Sequence, residues 1–143
     1  QRENYFRKIC KYIAQSSGSI IIVDYGYDIF PKHYTLQSIC NHQYSNLFDN
    51  VGKQDITSLV DFKQFIDIAK NCNLNVDTFC NQKEFLLANG ILERKNMVVK
   101  NCSIKQKIII EDQCNRLINE KEIGSFYKFF ILSSKGMNIE KQQ

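Results

Sequence analysis

The stretch from Gly18 to Phe30, GSIIIVDYGYDIF, constrains the fold of this chain more than any other part of the sequence. Ile20 to Val23 are four consecutive β-branched apolar residues, a composition that favours a β-strand. Because the run does not alternate with polar residues, it is typical of a parallel strand covered on both faces. We therefore predict a strand over Ser19 to Val23. Asp24, which follows it, either caps the next turn or faces a ligand, and the residues alone favour neither role.

The length and composition indicate one domain or part of one. The chain has 143 residues, of which 43% are hydrophobic and 24% charged, enough to bury one core. It contains no apolar run of the ~20 residues that cross a membrane, and its first residues lack the layout of a secretion signal. Since the chain begins with Gln1 instead of methionine, we expect it to be a piece of a longer protein.

Charge and cysteine spacing argue against a nucleic-acid groove, a metal site and a disulfide framework. The net charge of +4 is spread along the chain, without the clustered basic and aromatic residues of a nucleic-acid groove. The six cysteines form no C-x-x-C pair and have no histidine at ligand spacing, so neither a metal site nor a secreted disulfide framework is indicated. We interpret them as small apolar residues in a reducing compartment.

Helical and strand patterns alternate along the rest of the chain, which predicts an α/β fold. Asp61 with Gln64 has the form of a helix N-cap and capping box. The predicted elements are a helix through Phe6 and Ile13 that stops at Ser16 to Gly18, a helix after Asp61, a strand over Asn75 to Cys80, a short helix ending at Gly90 as a left-handed C-cap, a helix through Ile110 to Ile118 and a last strand over Ser125 to Ser133.

A long excursion with little periodicity separates the first strand from the second clear helix. It covers about residues 27–60, contains Pro31, the chain's single proline, and is predicted to hold one short helix around Leu36 to Cys40. Excursions of this length are often functional.

Five sequence blocks resemble the MidA-type methyltransferases in order and spacing. These are S-adenosylmethionine-dependent enzymes of bacteria and mitochondria that act as assembly factors for respiratory complex I. The blocks are IIIVDYG (20 to 26), TLQSICNHQ (35 to 43), VGKQDITSLVDF (51 to 62), NQKEFLLANGILER (81 to 94) and INEKEIGSFYKFFIL (118 to 132).

The resemblance implies the C-terminal part of a class I, Rossmann-like methyltransferase fold. That fold has seven strands in the order 3-2-1-4-5-7-6. Ser19 to Val23 then corresponds to strand 5, Asn75 to Cys80 to strand 6, and Ser125 to Ser133 to the antiparallel strand 7 between them, with helices on the flanks. A strand inside the sheet explains why the last segment is apolar on both faces.

The resemblance also implies that the cofactor site precedes residue 1. In this family a glycine-rich loop after strand 1 and an acidic residue at the end of strand 2 hold S-adenosylmethionine. The six glycines of this chain, at 18, 26, 52, 90, 124 and 136, are isolated and form no G-x-G loop. We expect no cofactor-binding residue in this chain, and we expect the N-terminal portion of the same enzyme to cover the unpaired edge of the Ser19 to Val23 strand.

Family members are associated with arginine methylation of a complex I subunit, which suggests roles for six residues. Asp24 and His42 are the candidate catalytic residues, Asp24 to hold a guanidinium and His42 to accept or relay a proton. The candidates for substrate binding are Tyr25, Asp55, Thr57 and Asp61. Each also has a structural interpretation: Asp61 as the N-cap, Asp55 and Thr57 as turn residues, and His42 as a hydrogen-bond donor.

Two departures from the family pattern leave a second function open. Leu59 stands where family members commonly carry a polar residue, often histidine or aspartate, and Asn81 stands where threonine is usual. The chain is therefore either the substrate-side portion of an active methyltransferase, in the bacterial cytoplasm or the mitochondrial matrix, or a non-catalytic remnant or split-gene interaction module.

Overall fold

The computed structural model describes residues 1–136, and the rest of the predicted domain, up to Gln143, lies outside the described residues. The elements of the described part are α1 (Arg2–Ser16), β1 (Ser19–Tyr27), β2 (Gln37–Cys40), β3 (Gln43–Ser45), β4 (Asp55–Thr57), β5 (Val60–Asp61), α2 (Phe62–Asn71), β6 (Leu74–Asn81), α3 (Gln82–Ala88), α4 (Ile91–Val99), α5 (Ile104–Ile118) and β7 (Tyr127–Ser134).

The main sheet has the order β5-β1-β7-β6, which places the last strand between the two earlier ones. β7 pairs antiparallel with β1 on one side and with β6 on the other. Phe130 and Leu132 of β7 are fully buried. The sequence-based assignment of β1, β6 and β7 to strands 5, 6 and 7 of the family fold is thus confirmed, with β7 two residues later at its start than predicted.

The core lies on one face of this sheet, under α1 and α2. The helical stripe of α1 buries Phe6, Cys10 and Ile13 there, as its i, i+4, i+7 spacing predicts. Phe6 stacks on Phe65 of α2, with ring centroids 4.1 Å apart. Burial of these rings against Phe130 holds both helices on the sheet.

β1 differs from its prediction in length and in exposure. It runs on from Val23 to Tyr27, because Asp24 and Tyr25 continue the ladder with β7, and Gly26 and Tyr27 pair parallel with β5. Its faces are also unequal: Ile20 and Ile22 pack against the core, whereas Ile21 and Val23 are 60% and 44% exposed. The unbroken apolar run therefore does not correspond to a strand covered on both faces in the described part of the chain.

The excursion contains a small sheet in place of the predicted short helix. Gln37–Cys40 is strand β2, and it pairs antiparallel with β3 on one side and β4 on the other. Asn41 and His42 form a two-residue turn in which both φ angles are positive, 50° and 61°. The backbone twist of such a turn matches the right-handed twist of the two strands that it joins, so the turn favours a hairpin over the predicted helix.

The remaining helices follow the sequence signals in part: α4 was not predicted, and α5 begins at Ile104, six residues before the predicted stretch. Asn81 and Glu84 form a reciprocal capping box at the start of α3. Gly90 has the predicted left-handed conformation, with φ 78°, but α3 already ends at Ala88 and Gly90 stands directly before α4. α3 packs against β6 and β7 on the sheet face opposite the core, where Phe85 stacks on Phe129 at 4.0 Å between ring centroids.

Candidate functional site

Asp24 lies near the carboxyl end of β1 and is exposed. Its Oδ1 accepts a hydrogen bond from the backbone N–H of Tyr25 at 2.8 Å, and its backbone lies opposite that of Lys128 in β7. One carboxylate oxygen is therefore fixed by the main chain. The exposed second oxygen is available to a donor from outside the chain.

Tyr25 is joined to a second tyrosine, Tyr127, at the same end of the sheet. The Tyr127 hydroxyl donates to the Tyr25 hydroxyl at 2.6 Å, and the ring centroids are 4.1 Å apart. This hydrogen bond, with smaller contributions from burial and the charge of Asp24, raises the pKa of Tyr127. Sequence reasoning interpreted the run from Phe126 to Phe130 as core, and it missed that Tyr127 supports Tyr25.

Replacing Tyr25 by phenylalanine is expected to lower the pKa of Tyr127 toward its ordinary value. Because the folded pKa is raised, the pair stabilises the fold fully below the unfolded pKa of about 10, and this contribution is lost as pH rises through the folded pKa. NMR titration of ring-labelled tyrosines measures the shift. Tyr44→Phe, at an exposed tyrosine of β3, is the control; an unchanged Tyr127 pKa in the Tyr25 variant would contradict the assignment.

Gly26 brings the end of β1 against the start of α2. A Cβ at this position would lie 2.5 Å from the Val60 carbonyl oxygen and equally close to Cδ2 of the Phe62 ring. Only glycine allows this approach, and it lets β5 pair with β1 so that Asp61 lies opposite Tyr27. The space above Gly26 is filled by protein, so this glycine offers no cradle for a cofactor.

Asp61 acts as the N-cap of α2. Its Oδ1 accepts from the Gln64 backbone N–H at 3.1 Å, which confirms the structural interpretation made from the sequence. In the main sheet the same residue lies opposite Tyr27, the last residue of β1. A role in substrate binding therefore stays a prediction that is compatible with capping.

A pair of variants tests the capping role of Asp61. Asp61→Ala is expected to lower the free energy of unfolding by about 1 kcal/mol, because the Gln64 N–H loses its partner. Asp61→Ser retains a capping oxygen and should stay within a few tenths of a kcal/mol of the parent. Urea unfolding measures both, with exposed Asp67→Ala of α2 as control; equal stability of the Ala and Ser variants would exclude the capping role.

The other three candidates lie on the small sheet. His42 occupies the exposed β2–β3 turn. Asp55 and Thr57 are exposed residues of β4, paired opposite Ile39 and Gln37, so their interpretation as turn residues is wrong. The structure therefore groups Asp24, Tyr25 and Asp61 on the main sheet, and His42, Asp55 and Thr57 on the excursion. Their catalytic and substrate-binding roles stay predictions.

A cavity of about 540 Å³ lies where the excursion leaves β1, and sequence reasoning assigned no site to it. Its walls come mainly from the segment between β1 and β2. The lining residues are Tyr27, Phe30, Pro31, Lys32, His33, Tyr34, Thr35, Leu36 and Ser58. The sequence does contain a signal for this cavity. Three aromatic side chains and one imidazole, those of Tyr27, Phe30, Tyr34 and His33, surround Pro31 in a segment otherwise without periodicity.

The cysteines carry free thiols. Burial, reinforced by neighbouring Cys72, raises the pKa of Cys10 to about 12, so this thiol stays protonated. Among residues 1–136 no group of three or more histidine, cysteine or acidic residues is placed to hold a metal ion. The helices in the same range are all too short or too polar to cross a membrane.

Residues 1–80 match the family described as "Putative S-adenosyl-L-methionine-dependent methyltransferase". The chain belongs to this methyltransferase family. The match begins in α1 and extends through β6, so it includes the end of β1, the excursion and Asp61.

A relative that carries a methyltransferase name is similar over almost the whole chain. The chain is 25% identical over 137 residues to "Protein arginine methyltransferase NDUFAF7, mitochondrial" of Danio rerio, an alignment that covers 96% of the chain and 32% of the relative. This similarity, with the family match, confirms the resemblance to the MidA-type methyltransferases. The chain thus spans about a third of the length of this relative.

Two solved structures confirm the fold. A COG1565 superfamily protein from Burkholderia thailandensis superposes with a TM-score of 0.83 at 23% identity, over 97% of this chain and 38% of that one. A COG1565 superfamily member from the same organism, bound to S-adenosyl-homocysteine, superposes with a TM-score of 0.74 at 24% identity, over 92% of this chain and 35% of that one. The α/β arrangement predicted from the sequence is that of these proteins.

Proposed function

We propose that this chain is the acceptor-side portion of an S-adenosylmethionine-dependent protein arginine methyltransferase that supports assembly of respiratory complex I. The observation that carries the proposal is the exposed Asp24 carboxylate near the carboxyl end of β1, one oxygen of which accepts from the Tyr25 N–H. Ligands of open α/β sheets bind at this end of the strands. The name of the Danio rerio relative, a protein arginine methyltransferase, supports the choice of arginine.

Asp24 is the residue proposed to hold the acceptor guanidinium. A carboxylate and a guanidinium match in charge and in bidentate geometry. The bond from the Tyr25 N–H fixes the direction of the carboxylate, and the Tyr127 hydroxyl fixes that of the Tyr25 ring. Such fixed positions favour alignment of the acceptor nitrogen for reaction.

The small sheet is proposed to complete the acceptor cleft. His42 at the β2–β3 turn accepts or relays the proton that the acceptor loses, and Asp55 and Thr57 contact the acceptor protein. Asp61 both caps α2 and contributes a carboxylate to the same cleft.

The cofactor is proposed to bind in the N-terminal portion of the same enzyme. The glycines of this chain form no G-x-G loop, and the space above Gly26 is filled by Phe62 and Val60. The edge of β1 opposite β7 is paired at Gly26 and Tyr27 and has no partner over Ser19 to Tyr25 within residues 1–136. We infer that a strand of the N-terminal portion pairs there, in a protein of the bacterial cytoplasm or the mitochondrial matrix.

The alternative is a non-catalytic remnant or split-gene module that retains the docking surface. Leu59 favours this alternative. It directly follows Ser58, which lines the cavity, and its backbone oxygen accepts a hydrogen bond from Arg2. An apolar side chain therefore stands near the cavity where family members commonly carry a polar one, often histidine or aspartate.

The test compares two aspartates with the same local geometry. Asp28 is also exposed and its Oδ1 also accepts from the next backbone N–H, that of Ile29. In the full-length protein, Asp24→Asn should lower methylarginine formation about 100-fold, because the guanidinium loses a charged partner, while Asp28→Asn stays near the parent rate.

The assay measures transfer of labelled methyl groups from S-adenosylmethionine to proteins of a complex I preparation, with mass spectrometry of methylarginine. A normal rate for Asp24→Asn would remove Asp24 from the mechanism. Absence of transfer by the parent protein would favour the remnant.

A further inference from the structure

The cavity between the end of β1 and Ser58 has chemistry suited to one kind of side chain. We propose that it binds an aromatic side chain of the acceptor protein that is flanked by acidic residues. The inference rests on the proposed function, because it takes the ligand to be a segment of the methylated protein. It adds a second recognition site to the carboxylate at Asp24.

The shape and lining of the cavity favour an aromatic ring. Its volume of about 540 Å³ lies within the range of ligand pockets and exceeds what a single ring requires. Tyr27 and Phe30 meet edge to face with centroids 5.7 Å apart. Phe30 and Tyr34 are 77% and 99% exposed, so both rings retain free faces for a further ring.

The charges around the cavity disfavour a guanidinium inside it. The nine described residues of the lining include Lys32 and no carboxylate. A guanidinium there would find no carboxylate among the lining residues and would be repelled by the Lys32 ammonium. The acceptor arginine therefore belongs at Asp24, and the cavity recognises a neighbouring position of the same segment.

The same charges favour acidic residues beside the aromatic one. Lys32 contributes an ammonium to the wall, and His33 contributes an imidazole. The Arg2 guanidinium donates to the Ser58 Oγ at 3.0 Å and to the Leu59 oxygen at 3.4 Å, which fixes a second cation next to the lining. Carboxylates flanking the bound ring would be attracted to these cations.

The experiment titrates the full-length protein with three synthetic peptides that share one arginine. In the first a phenylalanine stands between two glutamates, in the second the same phenylalanine stands between two lysines, and in the third alanine replaces the phenylalanine between the glutamates. NMR titration gives each dissociation constant. We expect the first peptide to bind at least about fivefold more tightly than each of the others.

Two variants and two matched controls assign the preferences to the cavity. Phe30→Ala should remove the advantage of phenylalanine over alanine, and Lys32→Glu should remove or reverse the advantage of glutamate over lysine. Ile29→Ala changes an exposed apolar residue of the same loop outside the lining, and Lys63→Glu changes an exposed lysine of α2. Both controls should leave all three constants unchanged.

Equal binding of the three peptides, or absence of binding, would overturn the inference. Preferences that survive both Phe30→Ala and Lys32→Glu would also overturn it, because the site would lie elsewhere. Methyl transfer is measured separately: loss of transfer with intact preferences would reject the proposed function and retain the cavity, whereas transfer without preferences would reject the cavity alone.

Discussion

Replacing Phe130 by alanine is expected to lower the free energy of unfolding by about 3–5 kcal/mol, the range for large core residues. Phe130 is fully buried in the strand that joins β1 to β6. Its ring lies 5.8 Å from that of Phe62 and 6.0 Å from that of Phe79, measured between centroids. The variant would leave a cavity between the sheet and both covering helices.

Phe126→Ala is the matched control, since Phe126 directly precedes β7 and is 56% exposed. We expect a change within about 0.5 kcal/mol for this variant, as for most surface substitutions. Denaturant unfolding monitored by circular dichroism measures both. A loss below about 1 kcal/mol for Phe130→Ala would show that the core is not centred on β7.

Replacing Gly26 by alanine is expected to cost about 3 kcal/mol and to displace the start of α2. The added Cβ would overlap the Phe62 ring and approach the Val60 backbone oxygen to 2.5 Å. The backbone oxygen has no rotamer by which to move, so β5 must separate from β1 or the ring must leave the core. Either shift moves Asp61 away from the end of β1.

Gly18→Ala supplies the control at the other end of β1, because a Cβ there meets no atom within 4 Å. Thermal unfolding and the Asp61 capping bond, followed through the Gln64 amide resonance in NMR, report the two consequences of Gly26→Ala. Equal melting temperatures for the Gly18 and Gly26 variants would contradict the close packing of β1 on α2.

Local signals predicted their elements well. Asp61 caps the helix that follows it, as predicted, because a capping side chain acts on N–H groups two or three residues away and needs no tertiary context. β7 was predictable for another reason. Its apolar residues on both faces favour a strand covered on both sides, and the family resemblance places it between two other strands, as the sheet order confirms.

Features that depend on pairing were harder to predict. Asp24 has low strand propensity, yet it lies within β1 because Lys128 continues the ladder opposite it. The hairpin of β2 and β3 was missed although Asn41, a residue that tolerates positive φ, stands in its turn. The approach of Tyr127 to Tyr25 joins residues 102 positions apart in the sequence. Nothing in the local pattern indicates such a contact.

The proposed N-terminal portion of the enzyme would explain why one face of β1 is exposed in this chain. Ile21 and Val23 belong to an apolar run that would favour burial, and they lie next to the strand edge without a partner in the described residues. Exposed apolar strand edges promote association. A further strand and helix of the proposed N-terminal portion would cover both the edge and the face.

The measurement that tests the central claim most directly is calorimetric titration of S-adenosylhomocysteine into two proteins: this chain alone and the full-length protein with its N-terminal portion. If the chain supplies the acceptor side and the N-terminal portion supplies the cofactor site, the full-length protein binds with micromolar affinity and the isolated chain shows no binding heat. Micromolar binding by the isolated chain would contradict the account, because the cofactor site would then lie among residues to which we have assigned the acceptor.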